Sequence, residues 1–327
     1  MYESFYGLSK SPFSLTPDAD CFYMSAQHAR ALAALRYALL TNAGITVVTG
    51  EVGTGKTTLL RKVLERDVSE LHVGLINNTH PNMGKLLPWI LSAYNIDPSE
   101  KGETVLYHTF VRFLETNYET DRRTVLIIDE AQNLTVENLE EVRLLSNLNL
   151  DKGSILQVIL VGQPELSEKL ELDELRQFSQ RIAVDASLSE FSLEQTNGYI
   201  DYRLGMAGGS PDLFNYEARA IVYYHSLGVP RIINNLCHLC LAFGYADSKP
   251  EIGIDIVKQV VESKKIGMSH INRRYRSDDA AKIRTMVLEE RGVDIASMER
   301  VSTAPLKPGA PVKRDRNGAA SRRRRTT

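Results

Sequence analysis

Two short stretches have the residue types and spacing that phosphate chemistry needs. The first is GEVGTGKTT, residues 50–58, which fits G-x-x-x-x-G-K-[ST] through Gly50, Gly55, Lys56 and Thr57. A polyphosphate needs many N–H donors converging within a few ångströms. A loop of Gly50, Glu51, Val52, Gly53, Thr54 and Gly55 can wrap that closely, and the first turn of a following helix adds its own donors and its positive dipole end. In this pattern Lys56 reaches the outer phosphates, the Thr57 hydroxyl can ligate Mg²⁺, and Thr58 continues the helix start. The bland alternative is a glycine-rich turn with an incidental lysine. The β-branched run before the loop and the apolar-periodic TTLLRKVLE after it argue against that.

The second stretch is TVLIIDEAQNL, residues 124–134, where an apolar run meets Asp129 and Glu130. Two adjacent acids are usually a solvated pair. At the end of a buried strand downstream of a phosphate loop, the first suits a Mg²⁺ ligand and the second a base that polarises an attacking water. A switch that hydrolyses slowly would not place a glutamate there, so Glu130 favours efficient ATP hydrolysis.

Other polar residues could join this chemistry, each with a plainer alternative. Gln163, in VILVGQPEL, falls just past a later strand, between the phosphate loop and the Asp129 strand; as an ordinary turn residue it would simply precede Pro164. Arg176 and Arg181 flank a strand start, where an arginine can reach a neighbouring subunit's γ-phosphate; surface ion pairs are the competing reading. Arg231 follows Pro230 at a helix start, from which it could lean onto the phosphates across a cleft.

These residues require elements that hold them. Five short buried-strand runs (ITVVTG, HVGLIN, TVLIID, ILQVILVG and RIAVDAS) are mostly separated by helical patterns, including 83–94, 104–118 and 136–148. A further helix, AQHARALAALRYALL, follows Ser25 as its cap. Alternation of this kind predicts an α/β fold with a five-stranded parallel sheet covered on both faces. After residue 187 the strand signal fades into four helical patterns, which predicts a small all-helical domain. The expected organisation is an ATPase domain over 1–187, with residues 1–20 as an ordered loop, a helical lid over 188–265, and a basic, largely disordered tail over 266–327 holding at most a short helix near 280–291.

Composition excludes several classes. With 327 residues, 43% hydrophobic and 24% charged, the chain can pack one or two domains and is not disordered overall. It has no apolar run long enough to span a bilayer, and its start does not read as a secretory signal. Three cysteines give no disulfide framework and suit a cytoplasmic setting, including one peripheral to an inner membrane. Cys237 and Cys240 have metal-like spacing but sit in an apolar helical pattern, which favours burial over ligation. Residues 273–327 hold 15 of the 39 Lys/Arg and 7 of the 41 Asp/Glu, so an acidic body carries a basic tail ending in Arg322–Arg325. That tail suits DNA phosphate, an anionic membrane surface or an acidic partner, or serves as a solubilising end.

Taken together, the phosphate loop, the Asp-Glu strand, a Q-R-I segment and G-x-P-R in the helical part resemble AAA+ ATPases. More narrowly, PFSLTPD, TGEVGTGKTTLL, LIIDEAQNL, LVGQPEL and GVPRIINNLC resemble the ExeA-type ATPases of secretion, pilus and exopolysaccharide export, with transposition-regulator ATPases as neighbours. The resemblance covers residues 1 to about 265. It implies an ATP- and Mg²⁺-dependent homo-oligomer, a ring or filament, that drives or regulates an export apparatus. The alternative it carries is an ATP-dependent DNA-binding regulator of transposition or initiator type. It further implies Gln163 as first sensor, Arg231 as second sensor and Arg181 as the finger. DEAQ is also a helicase spelling, but translocating helicases of that kind need two such cores, and only one is legible here.

Overall fold

The computed structural model describes residues 1–15, 21–67, 71–77, 79–80, 82–99, 102–150 and 153–263, together with Thr285 and Glu289. The basic tail and its arginine run lie outside the described residues, as does the helix expected near 280–291 except for Thr285 and Glu289, both helical.

Five strands form one parallel sheet: β1 (Ile45–Gly50), β2 (Leu71–Ile76), β3 (Arg123–Ile128), β4 (Leu156–Gly162) and β5 (Ile182–Leu188), in the order β2-β3-β4-β1-β5. Alternating side chains split between the two faces. Leu126, Ile128, Val158 and Leu160 enter the core on one side, while Val125, Ile127, Ile159 and Val161 enter the core on the other. Every residue of β1 and β4 is buried, as expected for central parallel strands covered on both faces. The first face is covered by α3 (Leu87–Ala93), α4 (Glu103–Glu119), α5 (Val136–Ser146) and α6 (Pro164–Leu170), the second by α1 (Ala26–Leu40) and α2 (Lys56–Asp67).

This topology positions the site. All five strands run the same way, so the segments leaving β1, β3 and β4 emerge on one rim, where such sheets bind their ligands. β4 lies between β1 and β3, so the turn after β4 sits between the phosphate loop and Asp129.

Several local expectations change. The helix expected over 83–94 begins only at Leu87: Gly84 has φ +71, and Pro88 suits a first turn, where its missing N–H costs nothing. α6 follows Gln163 directly and was not expected. A two-stranded antiparallel pair, Asn149–Leu150 with Gly153–Ser154, was also unforeseen.

Beyond β5 the chain is helical: α7 (Leu193–Met206), α8 (Tyr216–Ser226), α9 (Pro230–Ala246) and α10 (Ile254–Ser263). A reciprocal capping box between Ser192 and Gln195 starts α7, and Asn215 caps α8. The first residues of the chain are not a bare loop. They begin with a helical turn, Tyr2–Phe5, and Tyr2, Leu8 and Phe13 are buried in the same core as α7–α10. Arg203 of α7 ties them down, donating to the Pro12 and Ser14 carbonyls at 2.6 and 3.3 Å. In its packing, the start of the chain goes with the helical part rather than with the sheet. Cys237 and Cys240 are fully buried on α9, and burial pushes both thiols up, Cys240 to about 12. Among the described residues no helix is long and apolar enough to cross a membrane.

Candidate functional site

The loop from Gly50 to Gly55 curls over the start of α2. Gly53 (φ +88) and Gly55 (φ +101) adopt backbone conformations that L side chains rarely take, and these turn successive N–H groups toward one concavity. Lys56 is only 7% exposed, and its Nζ donates to the Gly50 and Glu51 carbonyls at 2.6 and 3.0 Å. Burial lowers its pKa, opposed by the charges of Glu130, Asp129, Glu51 and Glu165. The ammonium thus lies inside the loop, bonded to two of its carbonyls.

Asp129 leaves β3 beside this loop. Its Oδ2 accepts from the Thr57 hydroxyl at 3.3 Å and its Oδ1 from the Glu130 N–H at 2.9 Å. Burial raises its pKa and the Glu130 charge adds to the rise, while the Glu130 N–H, Thr57 and Lys56 oppose it. Two hard oxygen donors meeting at a partly desolvated carboxylate fit Mg²⁺, whose charge would relieve that cost.

Glu130 is strained into the left-handed region (φ 54, ψ 36) as the chain turns from β3 into the three-residue turn Ala131–Asn133. Thr79, following β2, fixes this turn by donating to the Glu130 carbonyl at 2.6 Å. The Glu130 Oε2 accepts from the Gln163 side chain at 3.2 Å and from the Gln132 side chain at 2.6 Å. Gln163 therefore lies beside the carboxylate, at the N-cap of α6.

The helical part closes the other side. The Arg231 N–H donates to the Gly53 carbonyl at 3.3 Å, and a Cβ on Gly53 would stand 2.6 Å from Arg231 Cβ. The G-x-P-R turn allows this approach because Gly228 (φ +76) lies against the Phe191 backbone, where any Cβ would collide. The resulting cleft, about 370 Å³, is lined by the phosphate loop, Glu130, Phe22, Tyr23, Tyr199 and Arg231 among others.

Arg181 and Arg176 are exposed, and neither lines this cleft. Arg181 precedes Ile182, which pairs with Ile45, whereas the phosphate loop begins where Gly50 pairs with Leu188. The full length of β5, roughly 20 Å, separates Arg181 from the loop rim. Arg181 therefore lies out of reach of its own cleft.

Residues that sequence reasoning passed over also meet here. His28 is 2% exposed, with Nε2 3.0 Å from the Thr54 carbonyl and Nδ1 2.7 Å from Ser25 Oγ. A carbonyl only accepts, so Nε2 carries the proton and Nδ1 accepts from the serine hydroxyl. Burial lowers the ring's pKa, partly offset by the Thr54 bond. The only sequence hint was a Ser-x-x-His spacing at a helix start. Gln132 stood inside the quoted box, with no role assigned to it.

Comparison with known proteins agrees with this geometry. Residues 38–170 match the family described as AAA domain. General secretion pathway protein A of Aeromonas hydrophila is 37% identical over 254 residues, covering 77% of this chain and 46% of that protein. The chain thus spans about half the length of this curated relative. Among solved structures, Cdc6p from Pyrobaculum aerophilum aligns with TM-score 0.60 at 17% identity, covering 89% of this chain and 87% of that one. The Aeropyrum pernix ORC2 protein, solved as ADPNP–ADP complexes, aligns with TM-score 0.57 at 16% identity, covering 90% and 83%. At such identities these structures establish a shared fold.

Proposed function

We propose that this chain is an AAA-domain ATPase that binds ATP with Mg²⁺, hydrolyses it, and uses the cycle to drive or regulate assembly of an export apparatus, a reading supported by its likeness to the AAA domain and to general secretion pathway protein A. The observation that carries the reading is the convergence of Lys56, Thr57, Asp129 and Glu130 on one rim of the sheet. The backbone N–H groups of residues 50–57 hold the phosphate chain, and the Lys56 ammonium leaves the Gly50 and Glu51 carbonyls for phosphate oxygens. Thr57 and Asp129 would hold Mg²⁺, which supplies neutralising charge to the phosphates when bound. The Glu130 carboxylate takes a proton from the attacking water. Gln163 stands next to that carboxylate and acts as the sensor of the outer phosphate, while Arg231 acts from the helical side.

In this reading Arg181, at the rim opposite its own cleft, serves a neighbouring copy in a homo-oligomer, a role its exposed position supports. The relationship to a secretion-pathway protein supports the export reading over the transposition one.

The test uses two variants of the full chain. Glu130→Gln should retain ATP and lose turnover, while Lys56→Ala should lose ATP binding. A Glu130→Gln chain that hydrolyses ATP at the parental rate would remove the assignment of the base.

A further inference from the structure

We propose that Gln132 is a positioning residue for hydrolysis: it aims the Glu130 carboxylate and joins it to the turn between β4 and α6. The proposal rests on Glu130 being the base. Both functional ends of the Gln132 amide are used. Its Nε2 donates to Glu130 Oε2 at 2.6 Å, and its Oε1 accepts the Gln163 backbone N–H at 3.0 Å. The Gln163 side chain donates to the same carboxylate oxygen at 3.2 Å. One carboxylate oxygen is therefore held by two amide donors, and Gln132 Oε1 also holds the backbone of the residue that supplies the second.

The backbone around Gln132 is fixed for this purpose. Lys169 of α6 reaches back to donate to the Gln132 and Leu134 carbonyls at 2.7 and 2.6 Å, tying the turn after Glu130 to the helix after Gln163. Space for the amide comes from Gly162, where a Cβ would stand 3.0 Å from Gln132 Oε1 and 2.8 Å from Leu166 Cδ2. Any larger residue at 162 would crowd the glutamine.

The chemistry of this arrangement follows from its donors. A carboxylate base must meet the water at hydrogen-bond distance and in the right orientation, and charged acceptors are held most firmly by directed N–H donors. Gln132 supplies the shorter of the two bonds to Oε2. Its carbonyl end also senses the backbone of Gln163, so a shift of that turn pulls on Glu130 through one side chain. Asparagine, one methylene shorter, cannot span both partners, and glutamate would set a second negative charge against the first.

The experiment measures steady-state ATP hydrolysis, ATP affinity and thermal stability for the full chain carrying Gln132→Ala, Gln132→Asn, Glu130→Gln, and Glu130→Gln with Gln132→Ala. For either Gln132 change, kcat should fall at least about 10-fold, because a misplaced catalytic group is costly, while ATP affinity stays within about twofold. In the Glu130→Gln background, adding Gln132→Ala should cause no further loss of turnover. Parental kcat in both single variants would overturn the proposal. So would a fall in kcat matched by equal losses of affinity and melting temperature, the signature of a merely structural residue. If Gln132→Ala melts early, Gln132→Asn carries the same comparison. Parental turnover in Glu130→Gln would instead refute the base assignment, which separates the two failures.

Discussion

Adding one methyl group at Gly53 tests whether the helical part is a working wall of the nucleotide cleft. Two costs follow from the structure. Gly53 has φ +88, so an alanine there pays the left-handed backbone penalty of about 1–2 kcal/mol. Its Cβ would also lie 2.6 Å from Arg231 Cβ and 3.3 Å from Val229 Cγ1. Ordinary carbon–carbon contact begins near 3.5 Å, so α9 must withdraw by about 1 Å. That displacement breaks the bond from the Arg231 N–H to the Gly53 carbonyl, a loss of about 1 kcal/mol. A catalytic geometry off by about 1 Å can lose on the order of 100-fold in rate.

Gly208→Ala separates the two costs. Gly208 has a similar conformation, φ +74, but a Cβ there meets nothing within 4 Å. Both variants should lose melting temperature, by about 2–4 °C per kcal/mol for a chain of this size. Only Gly53→Ala should also lose ATP turnover, by about 10- to 100-fold. Calorimetry and a phosphate-release assay on the two chains decide it. If Gly53→Ala and Gly208→Ala turn over ATP equally well, the packing of α9 on the loop has no part in the cycle.

Two further outcomes are expected. Arg181→Ala should reduce turnover steeply at protein concentrations where the chain is assembled and leave the monomer's residual rate unchanged; an equal loss in dilute monomer, measured alongside sedimentation, would exclude action on a neighbour. His28 should make stability depend on pH. Its folded pKa lies below the ordinary 6.5, so the unfolded chain binds the proton more readily. The contribution is therefore complete above about pH 6.5 and is lost as the pH falls through the folded value. His28→Gln should flatten that part of the melting-temperature profile between pH 7.5 and 5.5, and parallel profiles would show that the ring does not titrate on unfolding.

Much of the rim was readable because its parts are contiguous in sequence. Residues 50–58 carry their own glycines, lysine and helix start, and Asp129–Glu130 follow an unmistakable buried run, so local pattern and the geometry of the rim coincide. The sheet was readable for the same reason: each strand announces itself within six or seven residues. What stayed hidden depends on long-range meetings. Nothing local says that His28 will reach Thr54, that Arg203 will hold Pro12 and Ser14, or that the first 15 residues will bury Tyr2, Leu8 and Phe13 among α7–α10. Aromatic residues broken by prolines read as a loop when their partners lie some 200 positions away. Arg181 was readable as an exposed arginine at a strand start, but only the pairing of Ile182 with Ile45 puts it at the far rim.

Two routes enter this one cleft, and they arrive on different chemistry. From the helical side, Arg231 meets the carbonyl of Gly53, and His28 of α1, packed on Phe191, meets that of Thr54. These contacts shape the loop expected to hold phosphate, so perturbing them should register in nucleotide affinity together with turnover. From the β4 side, Gln163, Gln132 and Lys169 converge on Glu130 and the turn that follows it. Those contacts leave the grip alone and set the base, so perturbing them should register first in kcat. The fourth letter of the D-E-A-Q box then has a reason of its own. Glutamine at 132 is long enough to touch Glu130 and Gln163 at once, and both contacts lie within the one α/β core of the described residues.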